Sequence, residues 1–252
     1  MKIFKTLVLF FALTFNLHSA EIDRLRVITD HWPPYNILKG GELSGMSVDL
    51  FELMLKKNDS RLTRENFKVT DWKTVYDSTY FMKNRMALTM ARNKIRENDF
   101  KWVGPIDIKQ SGLIAKKRKN IVIRSTKDLK KYKIAVVKNY STHQMLRKAG
   151  LKENLSVMGG LFAVHKAVEK LVNDKVDMYS TSNTQYIMKI LDKNSFRVKD
   201  FEIIKKYKKD KLYFAFNKKT DDKLIMALQN ALDDLKKDGT YKKIKNKYFN
   251  KI

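Results

Sequence analysis

Short β-rich runs alternate with amphipathic stretches along most of this chain, and that alternation limits what it can fold into more than any other feature. Residues 25–29 (LRVIT) read as a first strand. His31-Trp32-Pro33-Pro34-Tyr35-Asn36 reads as a loop, because two prolines cannot continue a sheet interior. Gly40-Gly41 and Gly45 are further punctuation. Next come a helix over 48–57, a strand over 67–70, a helix over 72–82, a strand over 86–90, a polar turn or helix over 93–99 and a crossover strand over 106–115. A second set repeats the rhythm: strand 133–137, helix 141–149 ended by Gly150, strand 155–158, helix 161–173, strand 176–180 and helix 183–191. The βαβαβα order predicts a parallel sheet with helices on both faces. A strand at 212–216 and a helix at 221–237 follow, the helix N-capped by Thr220 and stopped at Gly239. Thr240 is expected to cap a last short helix ending near Tyr248. Strand-like segments, not a flexible tether, join the two α/β sets, which predicts a hinge with a cleft between two lobes.

Composition narrows the chemistry. The 252 residues include no Cys, so a disulfide framework, a Cys-based zinc site, a thiol nucleophile and a lipid-modified cysteine anchor are all excluded. Lys2 and Lys5 precede an apolar run over 6–15, and Asn16-Leu17-His18-Ser19-Ala20 leads to Glu21. That order predicts a secretory signal over 1–20, cut after Ala20. The apolar run is about half of the ~20 residues a membrane-spanning helix needs. The formal net charge is +26. Lysines are spread through almost every segment and are not gathered into one arm or interleaved with base-stacking aromatics. They read as a solvated surface, and no nucleic-acid partner is expected.

Four segments, in order, give the chain a family resemblance. They are Thr29-Asp30-His31-Trp32-Pro33-Pro34-Tyr35; Gly45-Met46-Ser47-Val48-Asp49-Leu50; Ala91-Arg92-Asn93-Lys94-Ile95-Arg96 with Phe100-Lys101-Trp102-Val103-Gly104-Pro105-Ile106; and Asp238-Gly239-Thr240-Tyr241-Lys242-Lys243-Ile244 through Tyr248-Phe249. The sequence resembles the bacterial extracellular solute-binding proteins of the polar amino acid type, the receptors of ABC importers. The resemblance implies the type II periplasmic binding protein fold, an α/β architecture of two lobes, each a sheet flanked by helices, joined by a double crossover hinge. Lobe 1 is then 21–113 plus 212–252, and lobe 2 is 114–211. It implies a monomer in the periplasm that takes a small-molecule ligand between its lobes. A membrane ABC permease or a sensory receptor then reads the closed state.

The resemblance also assigns ligand-binding residues. Arg96 is expected to hold a ligand carboxylate, because a guanidinium offers planar, paired donors that Lys cannot copy. Trp32 matches the family's ring-stacking position, with Tyr35 either beside it or packed beneath it. Trp72 stands at the start of a helix that supplies either the opposing wall or core. Asp30 either meets a cationic ligand group or caps its own loop. Thr89 lies seven residues before Arg96, where the family often places a donor to the ligand. Ser141 and Thr142 open a lobe-2 helix whose first N–H groups can cradle a carboxylate. Asn183 departs from the pattern: the family places an Asp there to pair with the ligand's α-ammonium, and an amide supplies no charge. A carboxylate-bearing ligand lacking the ammonium is therefore also open.

No cofactor is expected, and neither is an enzyme, because nucleophile elbow, metal helix and phosphate loop are all missing from the sequence. The enzyme alternative is a cleft dehydratase of the cyclohexadienyl type on the same fold. It would need a positioned acid or base, for which His31, His143 and His165 are the histidines after the leader.

Overall fold

A computed structural model describes residues 21–193 and 197–249. The expected signal segment lies outside them. Among the described residues no helix is long and apolar enough to cross a membrane.

The expected alternation is present. Strand β1 (Arg26–Thr29) leads through the Pro33-Pro34 loop to a small hairpin, β2 (Ile37–Lys39) and β3 (Glu42–Ser44), turning on Gly40-Gly41. Both glycines have positive φ, 59° and 84°, as a two-residue hairpin turn needs. Helix α1 (Met46–Lys57), β4 (Lys68–Val69), α2 (Trp72–Phe81) and β5 (Arg85–Ala91) complete the first set. A 17-residue strand, β6 (Phe100–Lys116), then carries the chain away. The second set is β7 (Ile134–Val137), α3 (Ser141–Lys148), β8 (Leu155–Met158), α4 (Ala163–Val172), β9 (Met178–Thr181) and α5 (Thr184–Lys193). A second 17-residue strand, β10 (Phe201–Asn217), returns the chain, and α6 (Asp222–Lys237) and α7 (Thr240–Phe249) close it.

The strand order is β4-β1-β5-β10-β6-β9-β7-β8. Pairing is parallel within each set, β1 with β4 and β5, β7 with β8 and β9. The two long strands run antiparallel through the middle, from Phe201 opposite Lys116 to Asn217 opposite Phe100. They are the two passages between lobes. Both outran their sequence signals: 106–115 became Phe100–Lys116, and 212–216 became Phe201–Asn217. Gly104-Pro105 does not end β6: Val103 pairs with Phe214 and Asp107 with Leu212, so the extra β6 residues form a bulge opposite Tyr213.

Alternation puts successive side chains on opposite faces. Val27 faces one apolar cluster and Ile28 another; Ile134 and Val136 face one, Ala135 and Val137 another. Helices α1 and α6 cover the first set on one side, where Phe51 stacks against Phe214 at 5.1 Å. Helix α2 covers the other side through Val75. The cap expected of Thr220 belongs to its neighbour: Asp221 accepts from the Lys223 N–H at 2.6 Å. Thr240 is the first helical residue of α7 rather than its cap, and Asp238 accepts from its N–H at 2.8 Å.

Two of the four sequence segments serve the scaffold. The carbonyls of Pro34 and Tyr35 accept from Met46 and Ser47, so the proline loop satisfies the first N–H groups of α1. In the terminal segment, Tyr241 donates to the Ile106 carbonyl at 2.8 Å, and Lys245 pairs with Asp107 at 2.6 Å, fastening α7 to β6. Gly45 permits the first arrangement. Its φ is 126°, and a Cβ there would lie 2.2 Å from the Tyr35 carbonyl oxygen. Gly45→Ala is therefore expected to destabilise the protein by about 1–3 kcal/mol, read as a lowered chemical-denaturation midpoint; an unchanged midpoint would contradict this packing.

Candidate functional site

Arg96 lies within the turn that follows β5 and is only 1% exposed. Nη1 donates to the Ala91 carbonyl at 3.3 Å, while Nη2 donates to the Asn139 carbonyl at 3.0 Å and to Gln144 Oε1 at 3.1 Å. Nε is buried without a hydrogen bond. The guanidinium carbon lies 5.6 Å from the Trp72 ring and 5.3 Å from the Tyr76 ring. Every hydrogen-bond acceptor on Arg96 is thus neutral. Burial pulls its pKa down to about 10, partly offset by Tyr76 and Asp210.

Around Arg96 lies a cavity of about 20 Å³, lined by Trp32, Trp72, Ala91, Lys109, Tyr140, Ser141 and Ser182. That is room for about one water. Lys109, from β6, is buried against Asp210 of β10 at 2.9 Å, with Ser141 Oγ at 3.4 Å. Burial pushes its pKa down, and the nearby Arg96 charge adds to that. A second cavity of about 160 Å³ lies beyond Trp72 and Tyr140, bordered by Asp30, His31, Asp71, Lys138 and the Gly159-Gly160 turn. The walls come from both α/β sets and from the long strands between them.

Interlobe contacts hold this space closed. Trp72 Nε1 donates to the Asn139 carbonyl at 3.0 Å, and the Tyr140 hydroxyl donates to Asp30 Oδ2 at 2.7 Å. Asn139 takes φ +61°, the left-handed conformation that Asn tolerates, and its N–H donates to His143 Nδ1 at 2.9 Å. That turn aims the Asn139 carbonyl at lobe 1.

Of the expected residues, Arg96, Trp32, Trp72 and Ser141 meet at the first cavity, and Asp30 borders the second together with Trp72. The other four have different placements. Tyr35 is fully buried beneath Trp32, its hydroxyl donating to Asp107 at 2.8 Å. Thr89 donates to Asn36 Oδ1 at 3.0 Å, and Thr142 to the Ser180 carbonyl at 3.2 Å. Asn183 accepts from the Tyr186 N–H at 3.1 Å, an N-cap of α5. Its neighbour Ser182 is the residue that faces Arg96's cavity. Sequence reasoning gave no ligand role to Ser182, Lys109 or Tyr140. A hydrophobic-to-charged break in the crossover strand could have flagged Lys109. An aromatic at a helix start could have flagged Tyr140.

The comparisons with known proteins bear on this geometry. The model of the bacterial extracellular solute-binding proteins, family 3, matches residues 25–251. The chain belongs to that family. A probable amino-acid-binding protein, YxeM, of Bacillus subtilis (strain 168) is 28% identical over 93% of this chain and 88% of its own. An ancestral arginine-binding protein bound to glutamine is 25% identical, with TM-score 0.71 over 89% of this chain and 97% of its own. The ancestral amino acid-binding protein AncCDT-1, a precursor of cyclohexadienyl dehydratase, is 22% identical with TM-score 0.70, covering 89% and 95%. This solute-binding protein therefore has the mixed α/β, two-lobed fold of amino acid-binding proteins, and the family is extracellular.

Titration of the cleft gives a test. Burial raises the Asp30 pKa from 3.8 to about 6, and the Tyr140 hydrogen bond opposes that only in part. Between those values the folded protein holds more protons than the unfolded chain, so this group favours folding at acid pH and loses that contribution as pH rises through 6. His31 acts oppositely: burial, with His165 stacked at 5.5 Å, lowers its pKa to about 4. Asp30→Asn removes the first effect alone. The melting temperature of the variant, relative to the native protein, is expected to climb from pH 4 to pH 7. A constant difference would contradict the buried-carboxylate account.

Proposed function

We propose that this protein captures a small carboxylate-bearing solute, an amino acid or a related acid, between its lobes and delivers it to a membrane ABC importer. The observation that carries the reading is Arg96, a fully buried guanidinium whose hydrogen-bond acceptors are all neutral. A buried cation without a counter-ion is costly, and a ligand carboxylate supplies the missing charge with paired hydrogen bonds. Lys109 and Ser141 add donors on the same side, and Trp32 and Trp72 give flat apolar walls. Among the described residues no carboxylate lines this cavity, and Asp210 stands behind it, paired with Lys109. That favours a ligand recognised chiefly by its anionic end.

Lobe 1 is taken as 21–113 with 212–252, and lobe 2 as 114–211, with the hinge where β6 and β10 cross. Ligand and lobes then close together because both sides supply contacts. The leader over 1–20 sends the chain to the periplasm as a monomer. The importer and a sensory receptor would each read the same closed form. Turnover is disfavoured by the histidines: His31 Nδ1 accepts from the Leu38 N–H, His143 Nδ1 accepts from Asn139, and neither they nor His165 lines the Arg96 cavity.

Thermal-shift screening against amino acids and small carboxylates tests the reading, since a bound ligand raises the melting midpoint by mass action. Arg96→Ala is expected to abolish the shift while keeping a cooperative ligand-free transition. Arg96→Lys is expected to weaken it, since charge remains but the paired geometry does not. A full shift in Arg96→Ala would rule out the carboxylate role.

A further inference from the structure

Tyr140 stands at the N-cap of α3, where a short oxygen-bearing side chain is the usual choice. It makes no capping hydrogen bond. Its ring instead crosses the cleft and packs between Trp32 and Trp72, with centroids 5.8 and 5.7 Å away, edge-on to the Trp72 ring at 89°. The hydroxyl reaches Asp30, and only 7% of the residue is exposed. Trp72 and Tyr140 border both cavities, so their rings form the partition between the 20 Å³ space at Arg96 and the 160 Å³ space beyond. The Asn139 carbonyl, one residue earlier, sits on Arg96 where a ligand carboxylate oxygen is expected.

Building on the reading that Arg96 receives a carboxylate, we propose that Tyr140 is the specificity-determining residue of the cleft. Its ring takes the place of a ligand side chain between Trp32 and Trp72, and so restricts the site to carboxylates with little or no side chain. A solute enters with the lobes apart. Its carboxylate displaces the Asn139 carbonyl from Arg96, because a guanidinium–carboxylate pair, charged on both sides and able to form two parallel bonds, is stronger than the same guanidinium's bond to a neutral carbonyl. A solute with a long side chain has a second demand: it needs the two cavities joined. That requires expelling the Tyr140 ring, which forfeits two aromatic contacts and leaves the buried Asp30 without its hydroxyl donor. Rejection by an occupied slot is selectivity by built-in clash rather than by weaker attraction.

Isothermal titration calorimetry on the native protein, Tyr140→Ala and Tyr140→Phe tests this, with glycine, L-alanine, lactate and pyruvate as small probes and L-arginine and L-phenylalanine as large ones. The native protein is expected to bind at least one small probe and to bind the large ones at least about tenfold more weakly. Tyr140→Ala is expected to gain about tenfold or more for a large probe, and Tyr140→Phe, which keeps the ring, to retain the native order. Tyr140→Leu serves in place of alanine if the smaller residue does not fold. Native protein that binds arginine or phenylalanine as tightly as Tyr140→Ala does would overturn the proposal while leaving the Arg96 reading intact. Failure of every probe on every variant would overturn the Arg96 reading and this proposal with it.

Discussion

A guanidinium buried among neutral acceptors is the constraint around which the cleft is arranged. Arg96 is withdrawn from water, and its charge is met by the Ala91 and Asn139 carbonyls, the Gln144 amide oxygen and two aromatic faces. Carbonyl dipoles and ring quadrupoles soften the cost of burial without neutralising the charge. Two of those acceptors, Asn139 and Gln144, lie across the cleft. The same group therefore joins side chains and carbonyls of both α/β sets.

Among the described residues, only β6 and β10 pass between the α/β sets, and they pair with each other across the whole passage. Their register shifts near Lys206–Lys209 and Leu212–Phe214, while the parallel strands on either side pack beneath their helices. Lys109 and Asp210 sit as a buried ion pair on these two strands, next to Arg96's cavity. The connecting strands thus contribute residues at the cavity.

Much of this was legible in the sequence. Periodicity placed nearly every helix and strand, because each set buries one regular face. The Arg96 segment and Trp32 were singled out from their motif positions, whereas Trp72 read equally as cleft wall or core; all three line the same cavity. What escaped depended on contacts between distant parts of the chain. The true length of β6 and β10 was hidden because each strand is held by the other, not by its own pattern; at Gly104-Pro105 the extra residues bulge out of β6 opposite Tyr213 without ending it. Asn183 and Ser182 are adjacent, and only the geometry of the α5 N-terminus decides which one caps and which one faces the cavity. Thr89 and Thr142 carry suitable hydroxyls whose nearest acceptors, Asn36 and the Ser180 carbonyl, no spacing rule reveals. Tyr140 reads as an ordinary helix-flanking aromatic until lobe 1 is set against it.

The family's shared architecture leaves the ligand to the lining side chains, and here the lining is cationic and aromatic around a nearly filled space. A crystal structure of the protein grown with a solute that it binds decides whether Arg96 is the anion site. The solute's carboxylate oxygens are expected on the Arg96 Nη atoms, with the Asn139 carbonyl moved off. Solute density elsewhere, with Asn139 still bound to Arg96, would contradict it.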